Sequence, residues 1–347
     1  MIKTPLILPI FLPHLGCRHH CLFCNQKAIA GEVPSPRWVR EFLQASLEHF
    51  PYRPGERGQI AFYGGSFTAM PEDHQVSYLK EMEPFLSSGR IESIRLSTRP
   101  DALQEERLLT LKAYGVKTVE VGVQSMDDDV LLHSKRGHQA EDSVSAILRL
   151  KAWEFEVGVH LMIGLPRDTC STFLRSVDRV IDLRPDFVRI HPTLVLRGAP
   201  LEELWREGRY TPLPLEDAIG WLKKGILKLE RASLPLARIG LQPTRELEES
   251  LLAGPFHPAL HQLVDSAIFY DMAEDLLLNH PNGSPPVFLC HPKDLSNLKG
   301  QRNENILRLK KQFRLSHISI SCTQGVERGR LVLQTGAKEF SVEKKSL

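Results

Sequence analysis

Short apolar runs alternate with stretches of helical periodicity from the N-terminus to about residue 240, a pattern that predicts β/α units around a mainly parallel sheet. The strands it predicts are 5–12, 59–63, 93–97, 118–123, 158–163 and 187–194. Between them, apolar residues recur at three- and four-residue intervals over 37–49, 105–114, 140–153, 172–183 and 215–232, the spacing of amphipathic helices. Gly115 and Pro185 follow two of these stretches, as helix stops commonly do. After about residue 245 the rhythm ends. Gly254-Pro255-Phe256-His257-Pro258 opens a predicted helix that runs to 278, and a turn is expected over 281–286. A small unit follows, with strands at 287–290, 317–321 and 330–334 and a helix at 305–313. This gives a barrel-like domain over 1–245 and a helical plus small α/β domain over 246–347, with the last eight or so residues expected to fray.

In parallel α/β proteins the chemistry gathers on loops at the carboxyl ends of the strands, and the unusual residues of this chain fall there. Cys17-Arg18-His19-His20-Cys21-Leu22-Phe23-Cys24 follows the first predicted strand, and Gly64-Gly65-Ser66-Phe67-Thr68 the second. Thr98-Arg99-Pro100-Asp101 follows the third, Gln124-Ser125 the fourth and Gly164-Leu165-Pro166 the fifth, while Pro192-Thr193 ends the sixth.

The cysteines read C-x3-C-x2-C. Three thiolates on one loop can hold three irons of a [4Fe-4S] cluster and leave the fourth iron open. A zinc site normally closes with four protein ligands; no second C-x2-C follows, although His14, His19 or His20 could complete such a set. The pattern, placed directly after a first strand, resembles the cluster loop of the radical S-adenosylmethionine (SAM) enzymes. The resemblance implies a partial (β/α)6 TIM-like barrel and a [4Fe-4S] cluster ligated by Cys17, Cys21 and Cys24. It also implies SAM chelated to the open iron and cleaved to a 5'-deoxyadenosyl radical, with a reductant such as flavodoxin or ferredoxin.

Paired glycines let a backbone approach a ligand closely, and Gly64-Gly65-Ser66 resembles the second-strand motif that contacts the amino group of SAM in this superfamily. Gln124 and Arg136 look like the SAM-binding pair of the branch containing oxygen-independent coproporphyrinogen oxidase, and Gly164 is placed with them around the cofactor. A surface cap or salt bridge is the plainer reading of each. Many members of that branch carry a glutamate three residues before the strand-end proline; here that position is Ser97, and the glutamate's role is not carried over.

Several stretches are more specific. Thr98-Arg99-Pro100-Asp101, Val119-Glu120-Val121-Gly122-Val123-Gln124-Ser125, Arg136-Gly137-His138, the segment 160–166, the segment 189–196 and Glu207-Gly208-Arg209-Tyr210 resemble the radical SAM domain of the elongator catalytic subunit. The likeness runs in order over about residues 5–240. That family modifies the wobble uridine of tRNA, using an acetyltransferase domain that follows the radical domain. The roughly 100 residues after the barrel show no Gly-rich acetyl-CoA loop, so that domain is not expected within this sequence, and the first gap of the cysteine motif is shorter than in the elongator subunit.

With 42% hydrophobic and 25% charged residues the composition is that of a globular protein. No apolar run approaches a bilayer span, and six cysteines without evident pairing suit a reducing cytoplasm. Charge alters the picture in one place: residues 291–347 hold 12 Lys/Arg against 5 Asp/Glu, although the whole chain is only +2. A basic terminal domain suggests an anionic partner such as tRNA or another RNA, with Lys299 and Arg302 in a glycine-containing loop as candidate contacts. A solvated lysine-rich surface accounts for the charge equally well. Arg99, His160, Arg189 and His191 should face the barrel cavity, where they meet either an anionic substrate or one another. Two other readings stay open. One is an enzyme acting on a small carboxylated metabolite or tetrapyrrole, against which His160 counts because the coproporphyrinogen branch usually carries an aspartate there. The other is a non-catalytic iron–sulfur protein that binds nucleic acid.

Overall fold

The computed structural model describes residues 6–26, 31–49, 58–280 and 285–347. It divides into two compact units, one comprising residues up to Leu213 together with Leu241–Pro255, the other Pro214–Gly240 with Phe256–Leu347. The units interleave along the chain, where the sequence pattern suggested a single boundary near 245.

The first unit is built on six strands: β1 (Leu6–Leu12), β2 (Gly58–Gly64), β3 (Ser93–Thr98), β4 (Val116–Gln124), β5 (Glu156–Ile163) and β6 (Phe187–Pro192). They pair in chain order and all in parallel, giving the expected α/β architecture of a partial TIM-like (β/α)6 barrel. Alternation along a strand sends successive side chains to opposite faces. In β4, Val119, Val121 and Val123 take the apolar face and are fully buried, while Thr118, Glu120, Gly122 and Gln124 share the other. Register continues that second row across the sheet: Ala61 pairs with Arg95, Ser97 with Glu120, and His160 with Arg189.

The connecting helices follow the predicted periodicity closely. Pro36–His49 buries Val39, Leu43 and Leu47, and Cys170–Leu183 buries Phe173, Val177 and Val180 behind a capping box made by Thr169 and Thr172. Helix Glu105–Ala113 stops before Gly115, whose φ of +78° an L side chain would resist. Among the described residues of this unit, five short helices lacked a clear pattern in the sequence: Glu72–Lys80, Glu83–Ser87, Asp128–His133, Pro200–Arg206 and Arg245–Ser250. All but Glu72–Lys80 are shorter than two full turns, and that one, of 9 residues, buries only Gln75, Tyr78 and Leu79.

In the second unit, helices Leu215–Arg231 and Leu260–Asn279 are tied by Lys223 Nζ and Asp271 Oδ2 at 2.6 Å. The second of these begins at Leu260, after Pro255 and Pro258, because proline restricts the residue before it to extended backbone. A four-stranded mixed sheet places Val287–Cys290 between Ser319–Cys322 and Arg330–Thr335, with Lys338–Glu343 at one edge. The terminus expected to fray is this edge strand. It is anchored by Lys344, which donates its backbone N–H to Gly329 O and sets its ammonium 2.5 Å from Asp265 Oδ1. Pro5 of the first predicted strand and positions 281–284 of the predicted turn lie outside the described residues.

Candidate active site

Cys17, Cys21 and Cys24 occupy the loop after β1, a chain of tight turns in which Cys17 N donates to His14 O and Cys24 N to Cys21 O. Contact with the loop after β2 sets its path. Gly65 N donates to Leu12 O at 2.9 Å and Ser66 N to Leu15 O at 2.8 Å. A Cβ on Gly65 would lie 2.0 Å from Leu15 O, and one on Gly16 (φ +76°) 2.2 Å from Ser66 O. The glycine pair therefore serves first to let two backbones meet. Gln26 closes the loop: its Oε1 accepts from His14 N, its N donates to His14 Nε2, and its Nε2 donates to Gly64 O.

Cys21 is buried; Cys17 and Cys24 are partly exposed. Burial, then the neighbouring Cys21 and Cys17, push the Cys24 thiol up to about 12. Burial and Cys21 also raise Cys17, against the pull of the Arg136 and Arg99 cations. Two raised thiols, Cys17 and Cys24, beside a third cysteine suit a cationic metal core, which compensates the thiolates together. Among the described residues, no three His, Cys, Asp or Glu side chains converge closely enough to hold one metal ion.

Of the expected cofactor residues, Gly65 and Ser66 touch this loop directly through their backbone and Arg136 through its side chain. Arg136, 6% exposed, donates from Nη1 to Cys21 Sγ at 3.2 Å and from Nη2 to Gly122 O at 2.5 Å. Gln124 ends β4 at φ +69°, its Nε2 only 3.0 Å from the point where a Gly122 Cβ would sit. Ser66 turns to the next strand instead, its Oγ 3.1 Å from Thr98 Oγ1 and accepting from Arg99 N. Gly164 (φ +74°) is bound on both sides, donating its N–H to Asp168 Oδ2 and accepting from the Tyr210 hydroxyl at 2.6 Å. Arg99 makes a bidentate pair with Asp101 at 2.9 and 3.1 Å. Burial opposes ionisation of Asp101, yet these hydrogen bonds and the guanidinium charge hold it below the usual carboxylate range. Ser97 Oγ, Arg99 Nη1 and Arg136 Nε are buried without a hydrogen-bond partner among the described residues. Such unsatisfied donors are costly, and two belong to cations beside the cysteine loop, so the donor set fits a bound carboxylate such as that of SAM.

Deeper in the barrel, Glu120 is fully buried and is the hub of a network. Its carboxylate lies 2.9 Å from Arg95 Nη1 and 3.0 Å from Arg189 Nε, is bound by His160 Nε2, and accepts from the Tyr63 hydroxyl at 3.0 Å. Burial alone would raise its pKa, but His160, Arg189 and Arg95 together pull it to about 2. The His160 and His191 rings meet edge to face, 5.7 Å between centroids. Gly158 leaves room for Phe187, whose ring would lie 2.4 Å from a Cβ there. Sequence reasoning placed Arg189, His160 and His191 on the inner face but passed over Glu120. The available signal was a lone carboxylate between Val119 and Val121 in an otherwise apolar strand.

Lys299 and Arg302 belong to the second unit. Gly300, Arg302 and Asn303 all have positive φ in the loop leading to helix Glu304–Gln312, and Asn305 pins that loop through Ser266 O and Asn297 O. Arg302 is exposed and Lys299 half-buried. Arg308 stacks on Tyr270, 4.0 Å from its ring centroid. No helix among the described residues is long and apolar enough to cross a membrane.

Comparison with known proteins places the chain in a family. The radical SAM superfamily model matches residues 11–180, and the radical SAM C-terminal domain model matches 185–269. The tRNA uridine(34) acetyltransferase of Methanocaldococcus infernus is 28% identical over 243 residues, covering 58% of this chain and 46% of that protein. Elongator complex protein 3 of Danio rerio is 31% identical over 190 residues, covering 47% and 34%. The chain thus spans about half the length or less of these two relatives. Among solved structures, archaeal M. infernus Elp3 lacking residues 1–46 aligns with a TM-score of 0.60 at 22% identity, over 77% of this chain and 63% of that one, a likeness of fold.

Proposed function

Because the chain belongs to the radical SAM superfamily, whose enzymes bind a [4Fe-4S] cluster and SAM, we propose that this enzyme modifies a base of tRNA or another RNA. The observation that carries the reading is the likeness to these two relatives, which are named for tRNA or elongator function and match 58% and 47% of this chain. When bound, the cofactor pair supplies the 5'-deoxyadenosyl radical. The chain's own part is to hold, aim and shield. Cys17, Cys21 and Cys24 hold three irons. Gly64 and Gly65 bring the second loop against the cysteine loop. Gln124, Arg136 and the free Arg99 Nη1 meet the polar end of SAM.

Arg189, His160 and His191 form the wall beneath, suited to an anionic part of the substrate. Lys299 and Arg302 on the basic second unit suit the RNA backbone. That same inner-face charge supports a second reading, a small carboxylated metabolite.

The test is 5'-deoxyadenosine release by anaerobically reconstituted protein with SAM and a reductant, with and without bulk tRNA, using Cys21→Ala as control. Release that needs Cys21 and rises with tRNA supports the RNA reading. Release indifferent to tRNA favours the small metabolite, and a filled cluster that releases none removes the catalytic reading.

A further inference from the structure

We propose that Ser134 to Gly137 form the outer wall of the cysteine loop, with Arg136 a positioning residue that donates to the Cys21 sulfur and raises the reduction potential of the cluster ligated there. The proposal rests on the radical SAM reading and goes beyond it: Arg136 acts on the cluster before any SAM is bound.

Three contacts join this wall to the loop. Leu22 N donates to Ser134 O at 3.2 Å. Gly137, at φ +70°, lies so close to His19 that a Cβ would sit 2.6 Å from the imidazole ring. Between them Arg136 Nη1 reaches Cys21 Sγ at 3.2 Å, while Nη2 is fixed on Gly122 O at 2.5 Å. The turn that delivers Arg136 is braced in turn, with Lys135 N donating to Leu132 O and Arg136 N to Leu131 O. A guanidinium anchored on a strand carbonyl and backed by two braced neighbours is held in place against the sulfur.

Cys21 and Arg136 are 7% and 6% exposed, so water screens their interaction little. Hydrogen bonds to ligating sulfurs and nearby positive charge stabilise the more negative, reduced cluster and so raise its potential. Reduction adds one electron to the cluster, and the donor is an external one-electron reductant such as dithionite in the assay. A residue that served SAM alone would leave the SAM-free cluster unchanged.

The experiment is potentiometry of the reconstituted full-length protein without SAM, followed by electron paramagnetic resonance, for wild type, Arg136→Gln and Arg136→Lys, with iron and sulfide measured for each. The expected result is a midpoint potential displaced downward in Arg136→Gln at wild-type iron content, and displaced less in Arg136→Lys, which keeps the charge but not the planar fork. A wild-type potential and spectrum in both variants overturns the proposal and leaves Arg136 to SAM. If Arg136→Gln loses its cluster, Arg136→Lys decides, a lowered potential supporting the proposal and an unchanged one overturning it. A wild-type protein that assembles no cluster would count against the radical SAM reading itself, a distinct outcome.

Discussion

The inner face of the barrel has two layers built from the same residue types. In the lower layer Glu120 is enclosed by Arg95, Arg189, His160 and Tyr63, so that its charge and lone pairs are answered by protein. In the upper layer, at the carboxyl ends of the strands, Arg99 keeps a buried Nη1 and Arg136 a buried Nε without partners among the described residues. Burying a cation is affordable in either place only if something answers it. The lower layer answers its cations largely through Glu120, and its Arg189 and His160 also form the wall proposed to meet the substrate. The upper layer leaves buried donors for a ligand, as the proposed SAM site requires.

Substitutions at each layer can break or sharpen that contrast. Glu120→Ala strands two buried arginines and should cost about 3–5 kcal/mol, read by urea or thermal unfolding; a loss within experimental error would make the lower layer part of the site. Acid should reveal the same carboxylate. Its folded pKa, about 2, lies below the ordinary value of 4.5, so its contribution is complete above pH 4.5 and is lost as pH falls through 2. The loss amounts to at most about 3 kcal/mol. Glu120→Gln should lack this acid-sensitive component in unfolding curves taken across that range.

Between the layers, Gly65→Ala places a methyl 2.0 Å from the Leu15 carbonyl. It should cost about 2 kcal/mol and much of the reconstituted iron, because two backbones must part. At the upper layer Arg99→Gln should weaken SAM binding about 10- to 100-fold, the worth of a charge-assisted hydrogen bond. Its melting temperature should fall less than that of Glu120→Ala; equilibrium dialysis of the reconstituted protein reads the affinity. The smallest effect belongs to neither layer. If Arg302 meets a phosphate, Arg302→Ala should reduce the salt dependence of tRNA binding by about one unit of slope and leave deoxyadenosine release without RNA unchanged.

Much of this was legible in the chain. Period-two and period-3.6 patterns carry strand and helix identity locally, so the six inner strands and the long helices lie within a few residues of their predicted limits. The cysteine spacing named its own chemistry, because one short loop can deliver three thiolates regardless of the surrounding fold. Short helices such as Asp128–His133 and Pro200–Arg206 were illegible because they owe their form to neighbours rather than to an apolar stripe.

The individual site residues divide in the same way. Sequence alone determined which residues lie at strand ends and which face inward, since both follow from spacing. It could not determine which inward charges would find each other. Arg95, Glu120, His160 and Arg189 come from four strands and meet only through parallel register, and Arg136 reaches Cys21 across 115 residues. Nor could it show that Ser66 faces Thr98, or that Gly65 first accommodates Leu15. Spacing along a chain fixes the face on which a side chain lies; whether a buried charge is answered by protein or left for a ligand depends on distances across the sheet, which only the tertiary structure sets.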